Sequence, residues 1–321
     1  MQQRPNKAGR GTIRIGISGW RYGPWRGTFY PKNLPQKNEL EYASTKLSSI
    51  EINGTFYSLQ RPKSYAAWYD ATPAGFVFSV KGPRFITHMR RLREVESPIA
   101  NFFLSGVLRL NEKLGPILWQ FPPNFRFEPE LFEAFLAQLP RSTSAAAKLI
   151  KQCDERMKGR TWAKIDRDRP LRHAVEIRHE SFAAEKFVRL LRKYGVALVS
   201  ADTAGKWPML HDVTADFVYV RLHGAEELYA SGYTDSALND WARKIRAWSK
   251  GRDAPDQKRI GPVAAKRAKR DVYVYFDNDV KVRAPLDASR LAVKLELRDE
   301  PLKFKPIGKT SPASARRSMP I

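Results

Sequence analysis

A single cysteine, Cys153, stands among 321 residues. That excludes an internal disulfide framework and any zinc or iron–sulfur site built on cysteines. Acids are scarce beside bases: 33 Asp and Glu face 57 Lys and Arg, a formal net charge of +24. No apolar run approaches the roughly 18 residues a membrane helix needs, so no membrane partner is expected. The first ten residues are polar and basic, without the apolar stretch of a secretory signal. A reducing, cytoplasmic home is the expectation. What the chain does have is core material. Hydrophobic residues make up 42% and aromatics 12%, which rules out disorder as the main state. The length allows one large barrel or two medium domains.

The charge is unevenly spread. Residues 1–14 carry +4, 148–172 carry +5, 250–270 carry +6 and 301–321 carry +5, together +20 of the +24. Sequence alone therefore predicts a basic disordered arm over 1–11, a barrel domain over 12–299 with basic insertions near 148–172 and 250–270, and a basic disordered tail over 300–321. A short helix is expected around Pro262–Ala268 within the second insertion. Positive charge of this kind addresses partners and not fold, and it leaves open weak nucleic-acid binding through the basic segments.

Between these stretches, short β-branched or aromatic runs recur at Thr12–Ile17, Ser49–Ile52, Phe76–Val80, Pro116–Phe121, His173–Ile177, Val196–Val199, Phe217–Leu222 and Val272–Phe276. Helical periodicity separates most of them, at Glu39–Leu47, Ile99–Leu114, Pro129–Leu139, Glu185–Tyr194, Thr234–Trp248 and Leu286–Leu297. Eight strands interleaved with helices predict an α/β fold, a single (β/α)8 TIM-type barrel, with an open doubly wound sheet as runner-up. The interval 202–216 is too short for much helix, so that unit is expected to be degenerate.

Side chains alternate with period two along a strand, and the aliphatic face of a barrel strand packs under helices. The other face then collects Ser18, Glu51, Asn53, Lys81, Gln120, Glu176, Arg178, Arg221, His223 and Asp277, with strand six read as adding Ser200 and Asp202. Barrel active sites are built at the strand C-termini, where these residues fall. Paired carboxylates can act as acid and base, and Arg178 and Arg221 can hold an anion. A buried ion-pair network is the plain alternative. A divalent metal held among Glu51, Glu176, Asp202, His223 and Asp277 also stays open, although the interspersed Lys and Arg disfavour it. Aromatics after the first two strands (Trp20, Tyr22, Trp25, Phe29, Tyr30, Phe56, Tyr57) suit either ligand stacking or loop packing. The cluster Arg84, His88, Arg90, Arg91 and Arg93 can meet phosphate or simply face solvent. No nucleophile elbow forms at Gly16–Trp20, since Trp20 stands where glycine is required. Walker A, dinucleotide-binding and H-E-x-x-H motifs do not occur.

A set of motifs in fixed order runs from residue 13 to about 295: IRIGISGWRYGPWRGTFYP, EINGTFY, FVFSVKGPRFITH, LGPILWQFPP, AVEIRHESF, DTAGKWP, VYVRLHG, YTDSALNDWA and VYVYFDND. On these residues the sequence resembles the YecE-like family, domain of unknown function family 72. The resemblance implies a TIM barrel and no established reaction. Its motif positions overlap the inward polar set. The resemblance supplies no roles; on their own chemistry Glu51, Glu176, His223 and Asp202 are the candidate catalytic groups. Trp20, Asn53, Tyr57, Lys81, His88, Gln120, Arg178, His179, Arg221 and Asn278 are the candidate substrate-binding groups. The expected function is hydrolase- or lyase-type acid/base chemistry on a polar, anionic small molecule. Nucleic-acid binding, phosphodiester processing and metal-dependent hydrolysis are the alternatives, and no cofactor is implied.

Overall fold

The computed structural model describes residues 9–254, 258–279 and 282–303. Eight parallel strands close on themselves in sequence order: β1 (Ile13–Ser18), β2 (Ser49–Ile52), β3 (Val77–Lys81), β4 (Leu114–Gln120), β5 (His173–Glu176), β6 (Ala197–Asp202), β7 (Phe217–Leu222) and β8 (Asp271–Phe276). The ring is sealed by β1 against β8, with Ile15 opposite Val274. The expected (β/α)8 barrel is what forms, and the strands fall within three residues of their sequence-based bounds. The intervening helices are α1 (Glu39–Lys46), α2 (Gly54–Tyr57), α3 (Pro62–Asp70), α4 (Glu96–Leu104), α5 (Pro129–Gln138), α6 (Thr143–Lys148), α7 (Glu185–Tyr194), α8 (Asp235–Ser249) and α9 (Arg283–Lys294).

Two apolar regions hold the body together. One lies between strands and helices, where Ile13, Ile15 and Ile17 of β1 or Val218, Val220 and Leu222 of β7 meet the buried faces of the helices. Amphipathic α7 shows the logic: Phe187, Val188, Leu190 and Leu191 turn inward, and Gly195 at φ +61° ends the helix in the left-handed conformation that glycine favours. The other fills the lower barrel with Val77, Leu118, Ala174, Val199, Phe217, Tyr219, Tyr273 and Tyr275. Tyr219 and Tyr275 lie 5.1 Å apart there, and their hydroxyls sit 2.7 Å from Ser79 and Ser49. This layer floors the mouth above it.

Three expectations need correction. The helix read as Ile99–Leu114 is two pieces, because Gly106 takes φ +125° where any Cβ would lie 2.6 Å from Pro62 Cα; a 3-10 stretch, Val107–Lys113, follows. Strand β6 turns Ala197, Val199 and Ala201 inward, so Ser200 and Asp202 face the helices. The sequence misled because the inner side chains are small and apolar, while the outer polar ones find partners outside the barrel: Ser200 Oγ lies 3.1 Å from Nδ1 of His211, in the segment between β6 and β7. No helix forms over Pro262–Ala268.

The basic insertions are packed parts of the body. Over 148–172 two 3-10 turns form, and the Trp162 backbone N–H donates to Leu104 O at 2.7 Å. The interval between β6 and β7 carries no helix, as expected, and the second insertion fills that side. His211 N–H donates to Lys258 O, and Asp212 accepts the N–H groups of Ile260 and Gly261 at 3.0 and 2.8 Å. Arg192 of α7 reaches Pro262 O at 2.7 Å. Of the expected terminal arms, residues 1–8 and 304–321 lie outside the described residues. Gly11 N–H donates to Ser249 O and Leu302 N–H to Ser289 Oγ, so residues 11 and 302 are tied to the body.

Candidate active site

At the C-terminal end of the barrel one cation organises the polar groups. Arg221, fully buried on β7, donates through Nη1 to Glu176 Oε2 at 2.6 Å, and through Nη2 to Glu51 Oε1 and Asp277 Oδ2, both at 2.8 Å. Ser18 Oγ lies 3.1 Å from the same Nη2. Five strands are thereby joined: β1, β2, β5, β7 and the end of β8. A planar guanidinium with five donors is the side chain suited to such a hub.

Both expected catalytic glutamates lie inside this network, on the expected face, with every carboxylate oxygen occupied. Glu51 accepts from Ser18 Oγ and Arg221 on Oε1, and from Tyr219 OH at 2.5 Å on Oε2. Glu176 takes Arg221 on Oε2 and Arg178 Nε on Oε1 at 3.1 Å. Burial by itself would raise the Glu176 carboxyl, but Arg221 and then Arg178 hold it well below the usual carboxylate range. Neither side chain is exposed. They read as the frame of the site.

The groups left to meet a ligand are others. Lys81, at the end of β3, is 8% exposed and lies 4.2 Å from the centre of the Phe56 ring. Among the described residues its ammonium makes no hydrogen bond or ion pair. Burial and then the nearby Arg221 lower it to about 8, against the opposing pull of Glu51, Asp277 and Glu176. Arg178 stacks over Trp207 at 4.0 Å and donates to Tyr229 OH at 3.2 Å. His88 packs edge-on to Phe56 at 5.1 Å; burial, Lys81 and Arg178 push it down to about 4, so it is neutral at pH 7. Gln120 and Asn53 also face inward, the latter donating to Ser18 Oγ at 2.8 Å. His223 is buried with Nδ1 3.0 Å from Asp277 Oδ2.

Four expected site residues lie outside the Arg221 network, although Asp202 and His179 line a cleft beside Arg178. Asp202 sits on the outer face of β6, where burial raises its carboxyl among Tyr233 and Trp241. Asn278 follows the outer face of β8 and donates to Asp287 Oδ2 at 3.0 Å on α9. His179 spends Nδ1 capping the turn Glu180–Phe182. Trp20 is 7% exposed and packs edge-on to Trp68 of α3 at 5.5 Å, which makes it loop packing. Tyr57 is 57% exposed in a cleft of about 430 Å³ beside the mouth, with Arg61, Arg84, Arg156 and Arg160. A second cleft of about 610 Å³ runs past Arg178, Trp207 and Lys258.

Asp277 and Asp279 were not among the expected catalytic residues, though the period-two pattern of β8 continues straight into them. Their acidities are split. Burial opposes ionisation of Asp277, but Arg221 and His223 outweigh it and hold it low; burial and then the Asp277 charge raise Asp279. Asp279 Oδ1 is buried without a hydrogen-bond partner among the described residues. Tyr229 had no signal, since it reaches Arg178 from an irregular loop. Among the described residues no three of His, Cys, Asp or Glu are grouped to hold a metal ion. The Arg221 guanidinium fills the space between the carboxylates where a cation would have to sit.

A closed parallel barrel with polar side chains gathered at its strand C-termini defines a TIM-barrel protein. Within that class the chain belongs to the family described as "Protein of unknown function DUF72", whose model matches residues 14–313. It is similar to UPF0759 protein YunF of Bacillus subtilis, 32% identical over 37% of this chain and 43% of that protein. It is also similar to UPF0759 protein YecE of Escherichia coli K12, 30% identical over 40% of this chain and 44% of the other. The chain thus spans less than half the length of the curated relatives it matches. A DUF72 family protein from Thermotoga maritima shares the fold at TM-score 0.67 and 23% identity, over 89% of this chain and 99% of that one. One from Enterococcus faecalis does so at TM-score 0.64 and 19% identity, over 92% and 100%. No helix among the described residues is long and apolar enough to cross a membrane.

Proposed function

We propose that the C-terminal mouth of the barrel binds a small anionic molecule and performs hydrolase- or lyase-type acid/base chemistry on it. The observation that carries this reading is Lys81: a buried cation turned into the mouth without a carboxylate of its own, beside Arg178. Three carboxylates lie close by, and each is held by Arg221. Lys81, which has no ion pair among the described residues, and Arg178, which shares Glu176 with Arg221, can together hold an anionic group. Acid/base work falls to Asp277 and Asp279 rather than to Glu51 and Glu176. Two carboxyls whose surroundings drive their acidities apart are suited to act as base and acid.

The test is retention of small molecules from a cell extract by wild-type protein, by Lys81→Met with Arg178→Met, and by Asp279→Asn. An anionic metabolite held by wild type and lost from the double variant is the expected result. Equal retention by wild type and double variant would remove the reading. A second reading is nucleic-acid binding, favoured by the exposed Tyr57, Phe85 and Met89 set among Arg61, Arg84, Arg156 and Arg160. RNA or DNA retained by wild type and double variant alike would favour it.

A further inference from the structure

We propose that Lys81 is a nucleophile whose amine condenses with the carbonyl carbon of a small anionic aldehyde or ketone, forming an imine in the barrel mouth. The inference rests on the anion-binding reading above and names the class of substrate. A lysine kept for charge balance takes a carboxylate partner, because an unpaired buried ammonium is costly. Here Glu51, Glu176 and Asp277 surround Lys81, and Arg221 bonds all three. From β3's own following turn His88 faces it as a neutral ring, and Phe56 covers one side of its side chain. Arg221 from β7 adds positive charge beside Lys81, and Arg178 beyond β5 does so beside His88. The fold therefore places a buried amine against Phe56 and among carboxylates already bonded to Arg221, a setting in which burial favours its neutral, nucleophilic form.

In the reaction the nitrogen lone pair forms the C–N bond as the carbonyl π-bond opens onto oxygen. That oxygen takes up two protons in succession and leaves as water, and the nitrogen gives up its protons to form C=N. No oxidant or reductant is consumed. Asp279, whose carboxyl is raised by burial and by the Asp277 charge, lies just past β8 at the same end of the barrel, placed to exchange protons with that oxygen. Arg178 would hold the anionic group.

The full-length protein is treated with glyoxylate, the smallest anionic carbonyl probe, and sodium cyanoborohydride, and the adducts are mapped by peptide mass spectrometry. With an amine at about 8, Lys81 holds roughly 300-fold more neutral amine at pH 7 than a lysine at its ordinary value. The expected result is carboxymethylation of Lys81 at least about tenfold faster than of exposed lysines, its rate levelling off above pH 8 while theirs still climbs. Labelling of Lys81 no faster than the exposed lysines, or climbing with pH as theirs does, overturns the proposal. Inorganic phosphate separates the two readings. If phosphate binds wild type, and Lys81→Met with Arg178→Met abolishes that binding, but Lys81 labels slowly, the imine falls and the anion site stands. Fast labelling that phosphate and the extract anions leave unprotected keeps the nucleophile and removes the anion site.

Discussion

Arg221 answers three carboxylates with one guanidinium, so its replacement has a large expected cost. Arg221→Met leaves Glu51, Glu176 and Asp277 buried beside one another without their shared cation. Breaking a buried pair typically costs about 3–5 kcal/mol, and urea unfolding at pH 7 should show a loss at least this large. Adding Glu51→Gln and Glu176→Gln to that variant should recover part of it, because the stranded charges are then gone. At this scale the sequence was informative about direction and silent about partners. Period-two alternation put Glu51, Lys81, Glu176 and Arg221 inside correctly. Which carboxylates stay free depends on where one guanidinium ends up after eight strands close, and no local pattern encodes that. Asp279 was visible as the next inward step of β8, yet its weakened acidity comes from burial and from Asp277, which are properties of the closed mouth.

At the scale of elements, aliphatic alternation made seven strands readable and failed on β6. There the inner face is Ala, Val and Ala, because the adjoining β7 and β8 already supply the bulk of Tyr219 and Tyr275. The missing helix between β6 and β7 was legible from chain length, but its replacement was not: the segment 258–264 comes from far along the sequence, and the short helix expected around Pro262–Ala268 does not form. Asp212 anchors that segment with two backbone hydrogen bonds while being only 2% exposed. Asp212→Ala should cost about 1–3 kcal/mol in chemical denaturation, since two part-buried donors lose their buried acceptor. Hydrogen exchange should speed up at the Ile260 and Gly261 amides and stay unchanged in β2 and β3.

For the whole molecule, the +24 divides into a nearly neutral barrel and four basic stretches holding +20. The two internal stretches are packed, and several of their bases already have acids: Arg156 with Asp154, Arg169 with Asp166, Arg259 with Asp253, and Arg172 with both Asp216 and Asp271. Binding of a fluorescent single-stranded oligonucleotide between 50 and 200 mM salt therefore tests the basic segments, with about −0.7 in the log–log slope per phosphate contact. Deleting 304–321 should flatten that slope while leaving Lys81 labelling unchanged; flat, weak binding by the intact protein dismisses a nucleic-acid role. The loop that stands in for a helix beside β6 has a further consequence, one of timing. Ribosomes deliver the chain from its N-terminus, so β6 and β7 emerge well before residues 258–264 that cover their flank. Until then Asp212 and Arg192 lack the backbone partners that residues 260–262 supply, and the window during synthesis when chaperones have most to hold closes only as the last strand arrives.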